Sequence, residues 1–164
     1  MTLRALFFAP LILLAAAAGQ DRFTSGVWQG VANYDEEGQF SDCTMTAQAD
    51  EDILLGFVMS KDLDWGLVIA DESRNFDVGA RKAVLLIIDE RDPIPAMAKI
   101  VDIHGLLIPL KHSDAVLDAM RHGKVLRIAT DQTEFSFQLT DARDAITALA
   151  RCVAEHQGTS RVEL

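Results

Sequence analysis

The stretch GKVLRIATDQTEFSFQLTDARDAITALARC, residues 123–152, decides the fold class because its apolar spacing changes partway along. Leu126 and Ile128, then Phe135, Phe137 and Leu139, recur at every second position. Arg127, Glu134, Ser136 and Gln138 alternate with them, as in a hairpin of two half-buried strands. From Ala142 the interval lengthens. Ala142, Ala145, Ile146, Leu149, Cys152 and Val153 recur at three and four residues, the apolar stripe of a helix that starts at Thr140 or Asp141 and ends near His156.

Upstream, Ser113 is placed to cap a helix running through Asp114, Val116, Leu117 and Met120, and Gly123 suits a left-handed terminal position. Before that the chain alternates strand-like runs with acidic turns. Val27 to Tyr34 is followed by Asp35-Glu36-Glu37-Gly38, a turn cluster with Gly where a tight hairpin wants positive φ. Phe40 to Ala47 returns with Ser41, Cys43, Met45 and Ala47 on one face, so Cys43 is expected to point inward. Ile53 to Met59 and Trp65 to Ala70 follow. Ala83 to Ile88 is apolar throughout and fits a strand covered on both faces. Asp89 to Asp92, Pro93 and Pro95 are expected to stop it, before Met97 to His104 and Leu106 to Leu110. Roughly nine strands and two late helices predict an α+β fold, a mostly antiparallel sheet or sandwich.

The N-terminus carries one basic residue, Arg4, an apolar run from Ala5 to Ala18, and small residues before a polar start. This pattern predicts a signal peptide over residues 1–18, cut before Gly19 or one residue later. Fourteen apolar residues at about 1.5 Å each fall short of the roughly 30 Å hydrocarbon core, which disfavours a permanent anchor. A single domain over residues 21–157 and a tail over 158–164 are expected, in the periplasm or secreted, with no membrane insertion after cleavage. An oxidising compartment makes the two cysteines, Cys43 and Cys152, candidates for one disulfide. Both lie on apolar faces by independent periodicities. The bridge would close a loop of about 110 residues, for which chain entropy gives at most roughly 4 to 5 kcal/mol.

Composition narrows the function. With 25 acidic against 15 basic residues, the surface repels phosphate backbones, which argues against nucleic-acid binding. No nucleophile elbow, Walker loop or dinucleotide fingerprint occurs, and no cofactor is implied. Asp102 and His104 share a strand face and His112 follows the next strand, so a meander could gather three ligands for a catalytic metal. No pair has the spacing of H-E-x-x-H. Trp28 and Tyr34 share parity across Gly30 and Ala32, a pattern that suits either core packing or a platform for a small ligand or glycan. The acidic turns fit solubility and edge protection.

The early strand "SGVWQGVANY", the Cys-bearing strand "FSDCTM" and the closing hairpin and helix of residues 123–152 resemble secreted bacterial proteins of the invasion-associated locus B type. The chain departs from that type in having Thr140-Asp141 where a Gly-containing turn is expected, and a single early Cys. The resemblance implies a secreted β-rich fold with an envelope or host-facing role and no known reaction. The function expected from sequence is therefore a non-enzymatic accessory domain that binds another envelope or secreted protein. The alternatives are the metal-dependent hydrolase and the ligand-binding module.

Overall fold

A computed structural model of the chain describes residues 21–110, 113–131 and 133–159. The expected signal peptide and residues 160–164 of the expected tail lie outside them. Period-two runs become strands and the two period-3.6 runs become helices: β1 Arg22–Ser25, β2 Trp28–Tyr34, β3 Phe40–Asp50, β4 Ile53–Ser60, β5 Trp65–Asp71, β6 Arg81–Ile88, β7 Ile94–Asp102, β8 Gly105–Pro109, α1 Asp114–His122, β9 Val125–Ala129, β10 Glu134–Gln138 and α2 Ala142–His156. There are ten strands among the described residues instead of nine. The additional one is β1, whose sequence RFTS has too little alternation to announce itself; pairing with β2 from Arg22↔Val31 to Ser25↔Trp28 holds it.

All ten belong to one antiparallel sheet ordered β1-β2-β3-β4-β5-β8-β7-β6-β9-β10. The order departs from sequence where the β6-β7-β8 meander is inserted in reverse, so that β8 pairs with β5 and β6 with β9. The sheet curls around its inner face until its ends meet. Trp28 Nε1 in β2 donates to Thr140 O, just past β10, at 2.8 Å. Gly26 has φ +56° and a side chain there would collide with the Asp141 carboxylate, which itself sits at φ 57°. These two left-handed residues, one in the β1-β2 turn and one before α2, let the two ends of the sheet approach. Helix α2 packs on the inner side of β1 to β4 and against α1. Inward residues of all strands from β2 to β10 and of both helices form one core, which includes Trp28, Phe57, Leu67, Leu86, Met120, Phe137 and Leu149.

The Asp35–Gly38 turn is as expected: Gly38 has φ 74°, Asp35 N donates to Gln39 O at 2.9 Å, and Gln39 N donates to the Asp35 carboxylate at 2.7 Å. Four local expectations are corrected. Gly123 is extended, at φ -75° and ψ 164°, and not left-handed. Glycine is required there for space, because a Cβ would lie 2.6 Å from Ile88 Cγ2 and 2.9 Å from Ala119 O. Ser113 precedes α1 without a side-chain cap; its carbonyl accepts from Val116 and Leu117. Pro95 does not stop a strand but lies second in β7, opposite Leu85, near the strand start where a missing N–H is tolerated. Finally, β6 is covered on one face only. Val84, Leu86 and Ile88 are buried, whereas Leu85 between them is 42% exposed.

Candidate functional site

Each residue pair singled out from sequence now has a position. Cys43 on β3 and Cys152 on α2 are joined as a disulfide, their Cα atoms 6.3 Å apart and 109 residues apart in sequence. Both are buried, as the two periodicities require. His156, one turn after Cys152, lies 4.0 Å from its sulfur through Nδ1, which also meets Cys152 O at 2.9 Å. The imidazole packs against Tyr34 and Phe40. Cys43, Cys152 and His156 are the one group of metal-type side chains whose ligand atoms converge among the described residues, and its two sulfurs are bonded to each other.

Trp28 is 1% exposed, stacked on Phe57 at 4.7 Å, with its indole N–H engaged by Thr140 O. A ring so enclosed has no face left for a sugar, and the role of Trp28 is to fasten the sheet ends. Tyr34 is half-buried, edge-on to Phe40, with its hydroxyl 3.4 Å from Asp21. Asp102 and His104 sit at the β7-β8 turn, where the Asp102 carboxylate accepts the backbone N–H of His104 at 3.0 Å. His104 Nδ1 lies 2.7 Å from Arg74 O, a distance at which the tautomer carrying the proton on Nδ1 donates to that carbonyl. His112 lies outside the described residues. Among the described residues no third ligand joins this turn pair.

The loop after β5 holds a polar node that the sequence did not single out. Asp71 is 1% exposed and accepts from Ser73 N at 3.1 Å and from the Ser73 hydroxyl. Arg74 Nε lies 2.9 Å from its other oxygen, an ion pair too oblique for a hydrogen bond, and the guanidinium lies over the Phe135 ring at 5.5 Å. A buried carboxylate left alone would be costly, so Arg74 is a structural partner that also ties this loop to β10. Strand parity was the available signal: Asp71 continues the inward series of Leu67 and Ile69.

The outer face of the sheet is the surface that calls for a function. Neither helix packs on it; α2 lies inside. Its outward positions include polar side chains at both flanks, with Thr44 and Thr46 on β3 and Arg127, Glu134 and Ser136 on β9 and β10. Across β4, β5, β8, β7 and β6 they include an apolar group, Val58, Val68, Leu107, Met97 and Leu85, bordered by the outward cations Lys99 and Arg81. Met97 and Leu85 are each more than two-fifths exposed. Val58, Gly66 and Pro109 lie side by side across three strands, under a hollow of about 320 Å³ lined by Val58, Leu107 and Pro109 and by the polar Asp42, Asp64 and Lys99. A Cβ at Gly66 would lie 2.8 Å from Ile108 O, so the close packing of β5 on β8 requires glycine there. Runs of this kind on an open sheet mark interaction surfaces. The sequence signal was the uniformly apolar run Ala83 to Ile88, read as covered on both faces.

No family model matches the chain, and no curated protein does. Among solved structures it is similar to invasion associated protein B from Bartonella henselae, with a TM-score of 0.60 and 20% identity over 82% of this chain and 97% of that one. The chain therefore shares its fold over most of its length with an invasion-associated protein, in agreement with the resemblance read from residues 123–152.

Proposed function

We propose that this chain is an extracytoplasmic accessory domain, without catalysis of its own, that docks another envelope or secreted protein through the outer face of β4 to β8. The observation that carries this reading is that face: a group of outward apolar side chains, Val58, Val68, Leu107, Met97 and Leu85, with a shallow hollow over Gly66. An open face of this kind is suited to a protein surface more than to enclosing a small substrate. The disulfide supports an oxidising compartment, and no helix among the described residues is long and apolar enough to cross a membrane. The fold neighbour is named for invasion, and from it we carry over only a bacterial accessory role.

The test places a photo-crosslinking amino acid at Met97, on the face, and at Gln138, on the polar flank, in separate proteins. After irradiation in periplasmic extract at physiological salt, position 97 is expected to give a discrete product that position 138 does not, and Leu107→Asp is expected to abolish it. Equal labelling at both positions, or labelling indifferent to Leu107→Asp, ends the reading.

A further inference from the structure

The same outer face carries an arrangement that folding does not explain. One row runs across five strands: Gly56, Val68, Leu107, Lys99 and Arg81. Its last two residues are both cations, directly opposite each other on β7 and β6, and both are exposed. Like charges in directly opposed positions destabilise a sheet. The chain has 25 acids to 15 bases, so acidic neighbours were plentiful in composition, yet neither the Lys99 nor the Arg81 side chain is in an ion pair or hydrogen bond with a described residue. Lys99 also stands at the rim of the hollow over Gly66. Across the hollow from it, the Asp42 carboxylate accepts hydrogen bonds from Ser41, Thr44 and Asn33.

We infer that Arg81 and Lys99 select the partner's chemistry: the segment that docks here is an extended protein strand presenting apolar side chains to Val68, Leu107 and the hollow, and a carboxylate to the cation pair. This rests on the proposed docking role of the face. Charge complementarity carries the choice, because an unpaired cation pair beside apolar surface is satisfied by an acid that arrives with apolar neighbours. Two copies of this chain would bring two such cation pairs onto one shared face, which disfavours self-association as the occupant.

The probe is a capped ten-residue peptide of alternating Val and Glu, compared with its Val-Lys and Ser-Glu counterparts by isothermal titration against the chain from residue 19 onward. The Val-Glu peptide is expected to bind at least tenfold more tightly than either control. That affinity should fall at least tenfold with Lys99→Glu and fall again between low and high salt. Arg81→Gln with Lys99→Gln should weaken binding while leaving the urea midpoint unchanged or raised, since a repulsive pair is removed. Equal binding of the Val-Lys peptide, or full binding by Lys99→Glu, overturns the inference. If Leu107→Asp abolishes binding while Lys99→Glu does not, the docking face survives and only the charge rule falls. If neither matters, both fall. Binding of phosphatidylglycerol vesicles in place of any peptide, or a dimer in sedimentation that Lys99→Glu dissolves, also overturns it.

Discussion

Leu85 and Leu86 are neighbours on one strand and face opposite worlds. Leu86 is fully buried under the curl of the sheet, while Leu85 is 42% exposed opposite Pro95 on the outside. The same contrast runs through β4 to β8. On the inside, apolar residues meet α1, α2 and the returning edge of the sheet. On the outside, residues of similar character meet nothing within the described chain. Apolar pattern therefore reports that a surface is meant to be covered, and it is silent on whether the cover belongs to the same molecule.

The largest expected effect concerns the inside. Replacing both cysteines, Cys43→Ser with Cys152→Ser, should lower stability by at most about 4 to 5 kcal/mol in urea denaturation, the loop-entropy limit for a closure of this length. A loss near zero would mean that β3 and α2 hold together without the bridge. The sharpest version of the comparison is the leucine pair. Leu86→Ala should cost about 2 to 5 kcal/mol through the cavity it leaves, and Leu85→Ala should stay within about 0.5 kcal/mol. Equal costs would dissolve the distinction between the faces.

The smallest effect lies at the bottom of β6, where Asp89 occupies a left-handed conformation and its carboxylate accepts from Lys124 N at 2.9 Å and Val125 N at 3.0 Å. Those bonds, the one from Val125 first, hold its pKa below the ordinary carboxylate value. A depressed folded pKa means stability that is present above the unfolded pKa and is lost as pH falls through the folded one. Asp89→Asn should therefore be less stable than the parent at neutral pH, and the gap should close below about pH 4. A gap that stays constant in denaturation curves from pH 7 to pH 3 contradicts the assignment.

What was legible in the sequence was periodicity and its consequences. Period two aimed Cys43 inward, period 3.6 aimed Cys152 inward, and their bond follows from the agreement. The Leu126 and Phe137 pairing in the last hairpin was readable for the same reason. Features created by one segment meeting another were not readable. β1 exists because β2 offers it an edge, Gly123 is glycine because Ile88 approaches it, and Trp28 is enclosed because Phe57 and Thr140 come from elsewhere. The Arg81 and Lys99 opposition needs the register of β6 against β7, which no local pattern states. The candidate site was thus invisible residue by residue, though its raw material, the apolar run Ala83 to Ile88, was in view.

The bond between β3 and α2 also sets an order in time. Strands β2, β3 and β4 are joined by short turns and can pair as soon as they exist, but the inward face of β3, with Cys43 and Met45, is closed by a helix whose cysteine comes 109 residues later. A chain that appears N-terminus first must therefore wait, with the inner face of β3 open, for α2 to arrive. Any truncation before Cys152 would leave the inner face of β3 without its bridged helix.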